Sequence, residues 1–348
     1  MAFTRKEMGM GKRTSAKFTF LVAISSLFYL SMGDQLWAQS FHRPSMIEIH
    51  SAASQRDLNR PWMRNHSSER EAILALFREL ARSSKGEELI RKAQTKAQED
   101  GSKLLDLIES GETSMLDTTL VRRFSRENPE IMTFETRSKI FINRHHILRN
   151  AVLDLAHELT HFIYREAFNP YQKNFSAEQF VRNTVEGKGG EAEAYLVECQ
   201  VLRELYPRYF NENSNCMRIV DSSGQFSREK AVSKFYRVGQ YVREYQKRMR
   251  QLRNSQESAP VVSSESSQFI SSAWGLPYPV AALSEYELIM SRVCENDDKR
   301  LSLMFQNQRQ QRAPASSYSG LSTMGSTEED RVQRMMSTHR QRCQGFLP

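Results

Sequence analysis

Apolar residues recur with helical periodicity over much of the first half of the chain. Ser68 and Glu71 have the spacing of a capping box, and the apolar positions that follow them predict a helix. Glycine-containing breaks at Gly86 and Gly101 separate further stretches of the same kind. The pattern therefore predicts two or three helices before the middle of the chain, the last of them around residues 104–108.

Two β-prone runs follow these helices. Residues 118–121 and 138–143 are rich in side chains that favour strands. The second run directly precedes an apolar stripe that predicts one helix over 151–168, which ends where Asn169 meets Pro170. These elements predict an α+β fold that is predominantly helical, with a small mixed sheet.

The first forty residues differ in kind from the rest. Five Lys or Arg between positions 5 and 17 precede an uncharged run over 18–33, and small residues follow at Ala38 and Ser40. This layout is typical of a secretory signal peptide, so residues 1–40 are predicted to direct export to the periplasm or the outside of the cell. A buried N-terminal helix and a retained membrane anchor are the alternatives.

A basic segment accounts for most of the net charge of +8. Residues 228–253 contain nine Lys or Arg and two Glu, a net charge of +7. Apolar residues recur beside these charges at helical spacing, which favours a helix docked by its apolar stripe with a solvated basic face. The alternative is contact between this face and an acidic envelope polymer or a membrane surface.

Changes in composition divide the remainder of the chain into a linker, a small helical region and a tail. Residues 254–268 are rich in Ser, Glu and Gln and are predicted to form a linker. A small helical region over 269–312 follows, with a capping-box pattern from Ser284 to Glu287. Residues 313–348 are predicted to form a disordered tail, since 313–330 are low in aliphatic residues.

The predicted export makes disulfides between the four cysteines plausible structural links, because disulfides persist in oxidising compartments. These cysteines form up to two disulfides with three alternative pairings, and none lies in a CxxC pattern. The four are Cys199, Cys216, Cys294 and Cys343.

The central chemical pattern is His157-Glu158-Leu159-Thr160-His161, within the predicted helix 151–168. Residues four apart lie one turn up on the same helix face, so both imidazoles can reach one ion. Glu158 is one position round the helix, where it can meet a water on that ion without binding the ion itself. This HExxH pattern predicts a Zn²⁺ site with Glu158 as general base.

A third ligand is needed, and a carboxylate after Gly190 is the best candidate. HExxH followed by Glu191-Ala192-Glu193-Ala194-Tyr195 resembles the gluzincin branch of the zincin metallopeptidases. The resemblance implies that Glu191 is the third metal ligand and that 41–253 form a zincin-like domain. Glu193 and Glu198 remain alternatives. Tyr195 stands where the family more often has Asp or Asn to orient a motif histidine.

The resemblance implies a zinc metallopeptidase that hydrolyses peptide bonds of exported or envelope proteins. The strand at 140–143 is expected to form the sheet edge that pairs with an extended peptide. A peptide or protein substrate is the expected partner, and no specific nucleic-acid partner is expected. The rival functions are a catalytically inactive zincin-like protein and a basic binding or scaffold protein of the envelope.

Overall fold

The computed structural model describes residues 58–344 and 346, apart from 65, 127–128, 130, 173–174, 213–214, 253–257 and 313–324. The predicted signal peptide 1–40 lies outside the described residues. The described part is α+β and mostly helical, as predicted, with one three-stranded mixed sheet.

The helices are α1 (Glu69–Leu80), α2 (Ser84–Glu99), α3 (Leu148–Tyr164), α4 (Ala177–Glu186), α5 (Glu191–Leu205), α6 (Pro207–Asn211), α7 (Arg228–Phe235), α8 (Val242–Leu252), α9 (Tyr278–Arg312) and α10 (Gly325–Cys343). The strands are β1 (Ile108–Gly111), β2 (Met115–Phe124) and β3 (Met132–Asn143), and single 3-10 turns lie at Leu104–Asp106, Asn215–Ile219 and Gly239–Tyr241.

Helix α1 begins where the capping pattern predicts, since the Ser68 hydroxyl accepts a hydrogen bond from the Glu71 N–H at 3.3 Å. Among the described residues, two α-helices precede residue 104, within the predicted two or three, and the optional third around 104–108 does not form. Only a 3-10 turn forms there, and the chain continues directly into β1. The N–H of Ile140 donates to the carbonyl of Leu107 at 2.8 Å, so pairing with the sheet outweighs the local helical pattern.

Strand β3 lies in the middle of the sheet, whose order is β1-β3-β2. Residues 140–143 pair in parallel with β1, and residues 132–141 pair antiparallel with β2. The expectation that 140–143 form the sheet edge is therefore wrong, because β3 lies between β1 and β2. The edges are β1 and β2.

Helix α3 is the central helix, and side chains are buried along most of its length. It packs against α1, α2, α5 and the sheet. It ends at Tyr164, four residues before the predicted end, because Arg165 adopts an extended conformation after its N–H bonds the His161 carbonyl at 2.8 Å. The motif histidines thus lie on a rigid, buried element.

The basic segment forms two helices instead of one. Gly239, with φ of +58°, breaks the pattern between α7 and α8, a conformation that glycine adopts without strain. The apolar stripe docks as predicted, with Tyr245 and Met249 buried. Arg248 on the polar side binds Glu287 of α9 at 2.9 Å.

The described part of the predicted linker is attached to the body of the protein. Ser263 donates to the Tyr236 carbonyl at 2.9 Å and accepts from the Val238 N–H at 3.0 Å. Helix α9 shares the main hydrophobic core and begins at Tyr278. The capping box at Ser284 is wrong, because this residue lies inside α9 and its hydroxyl donates back to a main-chain carbonyl.

The predicted disordered tail contains α10, so that prediction is wrong for residues 325–343. Val332 and Cys343 are buried against the rest of the protein, and a disulfide joins Cys343 to Cys294 of α9. Sequence composition does not indicate this helix, because a disulfide and only a few buried apolar side chains attach it to the protein. The second disulfide, Cys199–Cys216, links α5 to the 3-10 turn at Asn215–Ile219.

None of the helices in the described part of the chain is long and apolar enough to cross a membrane.

A buried ion cluster, here called the Asp297 cluster, joins α9 to its surroundings. The Asp297 carboxylate accepts from Arg122 of β2 at 2.5 Å and from Arg342 of α10 at 3.3 Å. Both guanidinium groups also lie over the ring of Tyr171, at 4.9 and 4.8 Å from its centre. One carboxylate thus connects β2, the loop after α3, α9 and α10.

Candidate metal centre

His157 and His161 lie one turn apart on α3 and both face α5. Their ring centres are 4.7 Å apart, and their side chains are 2% and 4% exposed. A pair of histidines buried this completely needs polar partners, because an unpaired imidazole in the core is costly. The partners come from α5 and from the turn that precedes it.

Glu191, the predicted third ligand, is the first residue of α5 and contacts both imidazoles. Its Oε2 lies 3.3 Å from the Nε2 of His157, and its Oε1 lies 3.4 Å from the Nε2 of His161. Ligand atoms that hold a tetrahedral zinc at its usual bond lengths stand about 3.3 Å apart. The three predicted ligand residues are therefore brought together, with one ligand atom from each within 4.8 Å of the others.

The two alternative carboxylates occupy other positions. Glu193 accepts a hydrogen bond from the Gly189 N–H at 2.7 Å and so stabilises the turn before α5. Glu198 lies behind His157, with its Oε2 3.1 Å from the Nδ1 of that ring. Glu198 thereby orients His157 and favours the tautomer that presents Nε2 to Glu191.

Tyr195 takes no part in this orientation. Its buried ring packs edge-on against Phe269 and Phe235, with ring centres 4.8 and 6.0 Å away. Glu198, about one turn further along α5, makes the contact with His157 instead. The seven-residue spacing of Glu191 and Glu198 puts both on one helix face, a signal that sequence alone contains.

The main chain orients the second histidine. The Nδ1–H of His161 donates to the Gly189 carbonyl at 2.7 Å, which leaves its Nε2 for a metal. Gly189 has φ of +64°, and a Cβ here would lie 2.4 Å from the backbone nitrogen of Arg165. Only glycine therefore fits this close approach between the end of α3 and the turn before α5.

Glu158 is 3% exposed and lies next to His157 on α3. It is not one of the three residues whose ligand atoms converge. Its negative charge acts on His157 and helps to raise the pKa of that ring. Glu158 is therefore a buried acidic residue next to the candidate ligand set and outside it.

Two charged residues at the site were missed by sequence reasoning. Arg165 donates to the Oε1 of Glu191 at 3.0 Å and, through Nε, to the Gly189 carbonyl at 3.2 Å. Glu285, half-buried on α9, faces the same charges: burial raises the pKa of its carboxyl, Arg165 lowers it and Glu191 raises it. Arg165 follows His161 by four residues, but nothing in the spacing indicates which group it contacts.

Opposing effects set the protonation of the two histidines and Glu191. Burial lowers the pKa of His157, but the Glu191 and Glu198 carboxylates outweigh burial and raise it to about 10. Burial and the charge of Arg165 lower the pKa of His161 to about 4. Burial raises the pKa of Glu191, yet the neighbouring histidines and Arg165 hold it well below its ordinary value. At neutral pH, His157 is therefore protonated, His161 is neutral and Glu191 is ionised.

Metal uptake is expected to be strongly dependent on pH. Below about pH 10 a metal ion must displace the proton of His157, so affinity rises as the pH rises. Between pH 6.5 and 8.5 the apparent association constant is expected to increase roughly tenfold per pH unit, the consequence of releasing one proton. Competition titrations against a chelator of known affinity at three pH values measure this slope. A constant affinity over that range would contradict the proposed protonation.

Removing the carboxylate behind His157 is expected to weaken the site without removing a ligand. Glu198→Ala should lower zinc affinity by about 10- to 100-fold, because His157 loses the partner that fixes its tautomer and orientation. The same competition titration measures the change. Glu166→Ala, at an exposed position near the end of α3, is the matched control and should keep the wild-type affinity. Equal affinities for all three proteins would rule out the role of Glu198.

Comparison of the chain with protein-family models, with curated proteins and with solved structures finds no match.

Proposed function

We propose that this protein is a zinc-dependent metallopeptidase that hydrolyses peptide bonds of exported or envelope proteins. The observation that carries the proposal is the convergence of His157, His161 and Glu191 beside a buried Glu158. Two imidazoles and one carboxylate are a donor set typical of catalytic zinc, and three protein ligands leave a fourth position for water.

Each residue has a defined task in this proposal. His157, His161 and Glu191 hold the ion, which when bound supplies Lewis acidity and a water of lowered pKa. Glu158 accepts a proton from the water whose oxygen attacks the peptide carbonyl, and then delivers that proton to the amine that leaves as the C–N bond breaks. Glu198 and the Gly189 carbonyl keep the two imidazoles aligned throughout.

Export is supported by the covalent structure. Both disulfides join segments that are distant in sequence, and such links persist mainly outside the reducing cytoplasm. The rival function as a basic binding protein has less support, because Arg237 and Arg248 of the basic segment are paired with Glu265 and Glu287 of the same chain.

The proposed activity is tested with a mixture of quenched fluorescent peptides and the purified protein. Cleavage that stops when a chelator removes the metal, and returns when zinc is added, is the expected result. Absence of cleavage by the zinc-loaded protein over a broad peptide set would favour the inactive zincin-like alternative. Retention on an anionic matrix that falls with salt, together with the absence of zinc from the folded protein, would favour the binding-protein alternative.

A further inference from the structure

Arg165 contacts the metal-ligand set from outside it. It is the first residue after α3, and its extended backbone turns the side chain back towards the start of α5. The close approach of Gly189 to the backbone nitrogen of Arg165 holds these two segments together. The backbone end of the Arg165 side chain is therefore held in place.

Two hydrogen bonds fix the other end of the side chain. The Nη2 of Arg165 donates to the Oε1 of Glu191 at 3.0 Å, and the Nε donates to the Gly189 carbonyl at 3.2 Å. The Arg165 side chain is 20% exposed and that of Glu191 is 8% exposed, so this pair is shielded from water. A planar guanidinium held at two points has little freedom to leave.

The two oxygens of Glu191 therefore have different surroundings. Oε1 lies 3.4 Å from the Nε2 of His161 and also accepts a hydrogen bond from Arg165, whereas Oε2 lies 3.3 Å from the Nε2 of His157. A carboxylate with both oxygens free can bind a metal through two atoms and fill the position that water needs in a catalytic site. We propose that Arg165 is a positioning residue, which reserves Oε1 of Glu191 so that only one carboxylate oxygen binds the metal.

This inference rests on the metal site of the proposed function, but not on the peptidase activity. It can therefore fail or hold independently of catalysis.

The test is the visible absorption spectrum of the protein loaded with Co²⁺, because four-coordinate cobalt absorbs more strongly than five-coordinate cobalt. Arg165→Met keeps an unbranched, flexible side chain, two bonds shorter than that of arginine, and removes its charge and donors. Arg165→Lys restores the charge, and Arg91→Met at an exposed position on α2 is the matched control.

We expect the wild type, Arg165→Lys and Arg91→Met to share the stronger four-coordinate spectrum. Arg165→Met should lose about half or more of the absorption per cobalt, as both oxygens of Glu191 bind. Arg165→Gln also has a side chain two bonds shorter than that of arginine and should behave like Arg165→Met. The test therefore does not depend on the folding of one variant.

An unchanged spectrum in both neutral variants, together with a lower melting temperature, would overturn the positioning role and leave Arg165 a structural residue. The expected spectral change in a protein that cleaves no peptide when loaded with zinc would support the positioning role and reject the peptidase. A folded wild type that binds no cobalt would overturn both.

Discussion

Replacing Glu158 with Gln is expected to lower the rate of peptide hydrolysis by about a thousandfold or more while the zinc content stays unchanged. Gln has nearly the same shape as Glu but cannot accept and return a proton. Because Glu158 lies outside the convergent ligand set, its amide should leave the binding of the metal intact. The loss should therefore fall on the chemical step and not on metal binding.

Initial rates on a cleavable peptide, with zinc measured on the same samples, give the comparison. Thermal unfolding of both proteins is the control, since Glu158 is buried and a folding defect would also lower the rate. Hydrolysis at the wild-type rate by the variant would exclude Glu158 as the general base. Loss of zinc in parallel with activity would instead make Glu158 part of the metal-binding set.

Asp297→Ala is expected to lower the free energy of unfolding by about 3–5 kcal/mol. The Asp297 side chain is 4% exposed, and its removal leaves Arg122 and Arg342, 10% and 22% exposed, without their shared counter-charge. Burial lowers the pKa of Arg122, the attraction of Asp297 raises it, and the charges of Arg300 and Arg342 lower it. Loss of Asp297 therefore leaves the Arg122 and Arg342 guanidinium groups, which repel each other, largely shielded from water.

The neighbouring position offers a matched control. Asp298 is exposed, so Asp298→Ala changes the same charge at nearly the same place in the chain. Its effect should stay within about 0.5 kcal/mol, as for ordinary surface substitutions. Urea unfolding with the disulfides intact measures both variants. Equal stabilities for the two variants would show that the Asp297 cluster does not anchor α9.

The sequence predicts those features of the site that depend on residues close together in the chain. His157 and His161 are four residues apart on one helix, so their convergence follows from helix geometry alone. The choice of Glu191 rested on the resemblance, and the structure places it with the histidines. The shared helix face of Glu191 and Glu198 was also visible, but which of the two faces the imidazole Nε2 atoms depends on how α5 packs against α3.

The unpredicted features arise from contacts between distant segments. Residues 104–108 have a helical pattern, yet pairing with β3 makes most of them a turn and a strand. The hydrogen bond from His161 to Gly189 crosses 28 residues, and the two contacts of Arg165 cross similar distances. No periodicity in a single sequence encodes such contacts. Helix α10 was missed for the same reason, because its disulfide spans 49 residues.

The central claim is that His157, His161 and Glu191 bind zinc, and the zinc content of the purified protein tests it most directly. The wild type should contain about one zinc per chain, and His157→Ala should contain almost none. His145→Ala, at a side chain that is 69% exposed and paired with Glu112, should retain the wild-type content. A folded wild type without zinc, or equal zinc in all three proteins, would contradict the account.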